Sequence, residues 1–230
     1  MSPTANKFEV EVKTLLGEQA QVDKFLAALK QRDPELKQFN AAKQLNHYFD
    51  DQGDEAKLLS AVASYLTDDD LRGFKGIVTA SKRFALRTRD QDGEVLLVIK
   101  AAKGDGDEQH ALERLEGEYP TTVANIDELD EAIRGAGYDF LSKWSRERTE
   151  YNYRDFTVCI DKNAGYGFVA EIEKVVDSES VATEAREEIL TELAELGFEE
   201  LSQERVGRMF EHYNQHWREY YRTEKTFTVE

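Results

Sequence analysis

Charged and apolar residues alternate along Phe8-Glu9-Val10-Glu11-Val12-Lys13, and again along Phe168-Val169-Ala170-Glu171-Ile172-Glu173-Lys174. In a β-strand, a period of two sends Phe8, Val10 and Val12 to one face and Glu9, Glu11 and Lys13 to the other. Glu171 and Glu173 share a face in the same way, opposite Ile172. The first pattern predicts a strand over 7–14, broken at Gly17. Val22, Phe25, Leu26 and Leu29 then recur at helical spacing until Asp33-Pro34 stops the helix. A second strand is expected over 44–51, and Leu58, Leu59, Val62, Tyr65 and Leu66 mark a short amphipathic helix. Asp68-Asp69-Asp70 reads as the cap of one more helical turn. Strands over 83–90 and 94–101 are joined by Asp90-Gln91-Asp92-Gly93, a good hairpin connection. A fifth strand is expected over 109–119 after the loop Lys103-Gly104-Asp105-Gly106-Asp107, followed by a helix with Ile126, Leu129 and Ile133 that ends at Gly135 or Gly137. Three more strands fall at 140–150, 155–162 and 166–176, the last two joined by Lys162-Asn163-Ala164-Gly165. From 179 onward the pattern is helical, first with Ile189, Leu190, Leu193 and Leu196, then with Phe210, Tyr213, Trp217, Tyr220 and Tyr221.

Eight mostly antiparallel strands, with helices between and after them, predict an α+β fold: a closed or nearly closed eight-stranded antiparallel β-barrel with flanking and C-terminal helices. No Pro/Ser linker, low-complexity tract or solenoid-length repeat interrupts the chain, so a single domain over 1–230 is expected, with the barrel core over 7–176 and a helical extension over 179–225.

Composition narrows the function. The chain has 230 residues, 40% apolar and 33% charged, with a net charge of −17. Such an acidic chain is a poor match for duplex nucleic acid, whose affinity rests on phosphate neutralisation, and for an anionic membrane. An anionic ligand would need a locally concentrated basic site. Cys159 is the single cysteine, which rules out an intramolecular disulfide and points to a reducing compartment. The start Met1-Ser2-Pro3-Thr4 carries no basic region followed by an apolar run, and no apolar stretch reaches the length of a membrane span, so a soluble cytoplasmic protein is expected.

Charges at strand spacing continue beyond the two Glu-x-Glu strands. Arg87 and Arg89 share a face of the third strand, Lys100 interrupts an apolar fourth, Arg114, Glu116 and Glu118 share a face of the fifth, Arg146 and Arg148 one of the sixth, and Asp161 closes the seventh. Taken singly, each reads as a solvent-facing edge or a ladder of weak ion pairs. Taken together, they read as one barrel interior holding an acidic and a basic cluster, an arrangement costly without a charged guest. A metal-bound polyphosphate fits: carboxylates hold Mg²⁺ or Mn²⁺, and arginine and lysine hold phosphate oxygens.

At these residues the chain resembles the CYTH superfamily, the triphosphate tunnel metalloenzymes. The resemblance rests on Glu9-x-Glu11-x-Lys13, Asn46-His47-Tyr48-Phe49-Asp50, Leu86-Arg87-Thr88-Arg89, Lys100, Arg114 to Glu118, Asp161, Gly165-Tyr166-Gly167 and Glu171-Ile172-Glu173, and it covers 7–176. It implies a tunnel that binds the triphosphate of a small substrate with a divalent metal. Glu9, Glu11, Glu171 and Glu173 would hold the metal, with Glu116, Glu118 and Asp161 as direct or outer ligands. Lys13, Arg87, Arg89, Lys100, Arg114, Arg146 and Arg148 would position phosphates. The expected catalytic set is Glu9, Glu11, Lys13, Arg146, Glu171 and Glu173, with a metal-polarised water attacking the terminal phosphorus. The sequence departs from the family where Lys-x-Arg is usual on the sixth strand: Arg146-Glu147-Arg148 is the in-phase match, and Lys143 is out of phase unless a bulge intervenes. An arginine there would be a poor base.

Metal-dependent triphosphate hydrolysis is the function expected. Class IV adenylyl cyclase chemistry, turning ATP into cyclic AMP and pyrophosphate, is the alternative, and a non-catalytic polyphosphate- or nucleotide-binding module the second. The segment 52–82 is longer than the usual connection and offers a cover or an interface. The aromatic C-terminal helix is read as packing, with plugging of one barrel mouth or homodimer formation as its other roles. His212 and His216 have zinc-pair spacing without the protease glutamate, and Asp105-Gly106-Asp107-Glu108 lacks calcium-loop spacing. Cys159 is read as structural.

Overall fold

The computed structural model describes residues 8–102 and 114–229. Among them the elements run β1 (Phe8–Gly17), α1 (Gln19–Arg32), β2 (Lys37–Phe49), α2 (Glu55–Val62), α3 (Asp68–Ala80), β3 (Phe84–Gln91), β4 (Glu94–Ala102), β5 (Arg114–Pro120), α4 (Ile126–Gly135), β6 (Phe140–Tyr153), β7 (Phe156–Asn163), β8 (Gly167–Val176), α5 (Ala182–Glu195) and α6 (Gln203–Tyr220). The fold is α+β with eight antiparallel strands, as the alternation predicts. Residues 103–113, which include the expected loop and the start of the fifth strand, lie outside the described residues.

Hydrogen bonding orders the strands β1-β8-β7-β6-β2-β3-β4-β5. β1 and β5 end this order, so hydrogen bonds among the described residues do not close the ring expected of a barrel. None of the described helices is long and apolar enough to cross a membrane.

Two elements exceed their sequence-based expectation by the widest margins. β2 begins at Lys37, seven residues before the expected start, because its first residues are exposed on both faces and leave no alternation to read. α3 runs thirteen residues where one turn was expected. The Thr67 side chain caps it by accepting from the Asp70 amide, and Phe74 and Val78 form its buried stripe. The Asp92-Gly93 hairpin has both residues at positive φ, 51° and 94°, as a tight two-residue turn between twisted strands requires.

The chain divides into two compact units, Met1–Lys43 with Arg146–Glu230, and Gln44–Ser145. In the first, Val12, Leu16, Phe156, Val158, Ile160, Ala170 and Ile172 form one apolar sheet face, which α1 covers with Val22, Phe25 and Leu29 and α5 with Ile189 and Leu193. In the second, Leu86, Leu97 and Ile99 are covered by Leu58 and Val62 of α2, Phe74 and Val78 of α3, and Leu129 and Ile133 of α4. The long 52–82 segment is therefore a cover for the apolar face of its own unit. Phe74 is fully buried and meets Tyr119 edge-on at 5.8 Å. Phe74→Ala is expected to destabilise the protein by about 3–5 kcal/mol in a denaturant titration.

α6 packs as expected. Its Tyr213 is fully buried against Tyr166 of the β7–β8 turn, and the tail behind it bonds back to that turn, Phe227 N–H donating to the Gly165 carbonyl at 2.8 Å. His212 and His216 stack on each other at 4.5 Å, and His212 lies against Phe227, an aromatic packing arrangement.

One buried carboxylate ties the helices of the first unit to its sheet. Glu192 of α5 accepts from Arg32 at 2.8 Å, from Arg154 at 2.9 Å and from the Tyr153 hydroxyl. Burial alone would push its carboxyl up, but these donors hold it below the usual range. Because the folded value is depressed, its contribution to stability is present above the ordinary glutamate value near about 4.3 and is lost as pH falls below it. Thermal melts across pH should show Glu192→Gln well below the parent at pH 7, the gap closing below about pH 4.

Candidate functional site

The faces not covered by helices carry the alternating charges. In the first unit, strand register lines up Lys13, Glu171, Cys159 and Glu150 as one row across β1, β8, β7 and β6. One step along the strands, Glu11 stands opposite Glu173. Like charges directly opposed across a ladder are destabilising unless a cation intervenes.

Lys13 Nζ supplies part of that charge, donating to Glu171 Oε1 at 2.7 Å and lying 3.1 Å from Glu11 Oε1. Arg148 donates through Nε and Nη2 to the two oxygens of Asp161, both at 2.8 Å, and through Nη2 to Glu171 Oε2 at 2.6 Å. Arg146 Nη1 reaches Asp161 Oδ2 at 2.8 Å. These bonds set the charge states. Burial works against ionised Glu171, yet Lys13, Arg148 and Arg146 hold its carboxyl well below the usual range. Burial likewise works against charged Lys13 and Arg148, and their carboxylate partners overcome it, raising both. Cys159 Sγ lies 3.7 Å from Glu173 Oε1 and 3.9 Å from Glu150 Oε1. Burial pushes its thiol up, Arg148 opposes this, and Glu173, Glu171 and Glu150 add to it. Cys159 is thus a neutral thiol within a charged row.

In the second unit, Asn46 pairs with Arg89 and Tyr48 with Arg87 across β2 and β3, while Lys100 pairs with Glu116 across β4 and β5. Arg89 donates from Nε to Asn46 Oδ1 at 2.9 Å and from Nη1 to Glu118 Oε1 at 2.7 Å. Arg87 Nη1 donates to the Tyr48 hydroxyl at 2.8 Å, and Lys100 Nζ lies 2.8 Å from Glu116 Oε1. The Nε–H of Arg87 is buried with no acceptor among the described residues. A buried unsatisfied donor costs about 1–3 kcal/mol, and such groups call for an explanation.

The structure thus brings together Glu11, Lys13, Arg146, Arg148, Asp161, Glu171 and Glu173 in the first unit, and Arg87, Arg89, Lys100, Glu116 and Glu118 in the second. Glu9 and Arg114 hold their expected strand positions, opposite Val175 and Ala102, but their side chains lie outside the described residues. Lys143 lies on the opposite face of β6 from Arg146 and Arg148, with Nζ 3.3 Å from Asp130 and 3.9 Å from the Phe140 ring centroid. No bulge restores it to the charged face. Glu150 stands outside the expected set, although it continues the period of two from Arg146 and Arg148 and accepts a hydrogen bond from Asn40. Cys159, structural on its sequence alone, has charged neighbours from strands that only the register brings beside it.

A family model for the CYTH domain matches residues 7–207. The chain belongs to the CYTH family. Comparison with curated proteins finds no match. Among solved structures, a conserved hypothetical protein from Pyrococcus furiosus is 19% identical with a TM-score of 0.56, covering 85% of this chain and 93% of its own. A Vibrio parahaemolyticus protein described as a proposed adenylate cyclase is 17% identical at TM-score 0.55, covering 85% and 94%. The PH1819 protein of Pyrococcus horikoshii is 20% identical at TM-score 0.56, with the same coverage of 85% and 94%. At these identities the likeness is one of fold.

CYTH enzymes are metal-dependent, and the first unit groups donor atoms that could hold a cation. The ligand atoms of Cys159, Glu171 and Glu173 all lie within 4.8 Å of one another. Both Glu171 oxygens are engaged by Lys13 and Arg148. Each Glu171 oxygen keeps a further lone pair, and the carboxylates of Glu171 and Glu173 are the ligand type of a hard divalent cation such as Mg²⁺ or Mn²⁺.

Proposed function

We propose that this CYTH protein is a metal-dependent triphosphatase, hydrolysing inorganic triphosphate or an organic or nucleoside triphosphate. The observation that carries the reading is the face-to-face placement of Glu11 and Glu173 beside the Glu171–Cys159–Glu173 donor group. That concentration of anionic oxygen suits a divalent cation beside the charges of Lys13 and Arg148 already there. Glu11, Glu171 and Glu173, with Glu9, would hold Mg²⁺ or Mn²⁺, which when bound supplies positive charge to phosphate oxygens. Arg87, Arg89 and Lys100, with Arg114, take phosphate oxygens in this reading, as arginine forks and lysine point charges do.

The protonation states of this chain limit its proton chemistry. Lys13 is raised by Glu171 and Glu11, and Arg148, raised by Asp161 and Glu171, serves as fixed positive charge. Arg146 holds the position where the family usually has lysine, and arginine is always protonated. A water attacking phosphorus can therefore give its proton to neither Arg146 nor Arg148. Arg146 and Arg148 orient Asp161 and Glu171 and neutralise developing charge.

One incubation tests the proposal. With Mg²⁺ or Mn²⁺ and inorganic triphosphate or ATP, release of phosphate is expected. Cyclic AMP with pyrophosphate would make the protein a class IV adenylyl cyclase, and no product with tight binding would make it a binding module.

A further inference from the structure

Between the two arginines of β3, on the opposite face of the sheet, lies a buried polar group that the chemistry above does not use. Thr88 follows Arg87 and precedes Arg89, and its partner across the ladder is His47, which lies between Asn46 and Tyr48. Asp130 of α4 grips this pair from behind. Its Oδ2 is 2.7 Å from His47 Nδ1, and its Oδ1 accepts from the Thr88 hydroxyl at 2.7 Å. Lys143 Nζ adds a contact to Oδ2 at 3.3 Å. Thr88 is 0% exposed, His47 1% and Asp130 3%.

We propose that Asp130 is a positioning residue for Arg87 and Arg89, acting through the His47–Thr88 pair. This rests on the triphosphatase reading for its substrate and deepens that reading with a residue outside the charged face. A buried carboxylate costs several kcal/mol unless it is well paired, and an apolar residue of similar size commonly serves stability as well or better. The other buried residues of α4 are Ile126, Leu129 and Ile133, so the helix already docks through an apolar stripe. What the carboxylate adds is direction. Its two oxygens fix two side chains on neighbouring strands relative to one helix, which fixes the register of β2 on β3 where the pairs Asn46–Arg89 and Tyr48–Arg87 flank the clamp. Adjacent residues of a strand share a peptide plane, so a rotation at Thr88 swings both arginines.

The test uses the full chain with Asp130→Asn, which keeps the shape and loses the charge, and separately Thr88→Val, which removes only the hydroxyl. The expected result, with Mn²⁺ and inorganic tripolyphosphate, is a KM raised about tenfold while kcat changes by less than about threefold in both folded variants, since a misplaced binding group is felt first in substrate capture. KM and kcat both within about twofold of the parent, alongside a lowered melting temperature, would assign Asp130 to stability alone and overturn the proposal. If the parent protein neither binds nor hydrolyses tripolyphosphate, the triphosphatase reading fails by itself. The positioning role is then decided by the Nε–H resonances of Arg87 and Arg89, assigned with Arg87→Lys and Arg89→Lys. Displaced signals in Asp130→Asn and Thr88→Val support it, and unmoved signals overturn it.

Discussion

A chain carrying Glu171→Gln together with Glu173→Gln is expected to lose at least about a thousandfold in kcat with Mn²⁺, roughly 4 kcal/mol of transition-state stabilisation, while remaining folded. The loss follows from charge. Glu171 is held ionised against its own burial by Lys13, Arg148 and Arg146, and Glu173 faces Glu11 across the ladder. Glutamine keeps the shape of both side chains and removes both negative charges, so a divalent cation loses two of its anionic ligands. The fold should survive because Arg148 keeps both bonds to Asp161, Lys13 keeps Glu11, and the apolar cluster behind the strands is untouched. Circular dichroism confirms folding, and Mn²⁺ titration followed by electron paramagnetic resonance reads the metal directly. Undiminished Mn²⁺-dependent activity would end the metal assignment.

Arg87→Ala is expected to lower kcat/KM for inorganic triphosphate about a hundredfold, the equivalent of losing one or two charge-assisted hydrogen bonds of about 1.5–3 kcal/mol each. Arg87→Lys should recover part of this, since lysine restores the charge but not the planar fork. Arg87 is favoured for the test because one of its donors, the buried Nε–H, lacks an acceptor among the described residues, whereas Arg148 has three bonds to carboxylates. Steady-state kinetics of the three proteins should rank parent, lysine, alanine. Equal kcat/KM in all three would remove Arg87 from phosphate binding.

Much of this was legible in the chain because alternation is a local property. The period of two along Phe8–Lys13 and Phe168–Lys174 sorted Glu11, Lys13, Glu171 and Glu173 onto one face and Val12 and Ile172 onto the other, and the structure keeps that sorting. Asp92-Gly93 announced its hairpin for the same reason. Where local signal was thin, the reading fell short. The start of β2, Lys37 to Ala41, has no buried residue to impose a period, and α3 opens on three aspartates that read as a single solvated turn. Asp130 lies on the apolar stripe of α4, four residues after Ile126, yet a lone aspartate on a helix reads as surface until its partners are known.

The sequence by itself determined the strands, their charged and apolar faces, and hence the family. Only the tertiary structure decided which charges meet. Lys13 and Glu171 are 158 residues apart in the chain, and they touch because β1 pairs with β8 in one register; a slip of one residue would turn every carboxylate to the other face. The same holds for the neutral thiol of Cys159 among carboxylates and for Asp130 behind the arginines. Side-chain period is written in neighbouring residues, whereas register depends on how distant strands and the helices behind them pack.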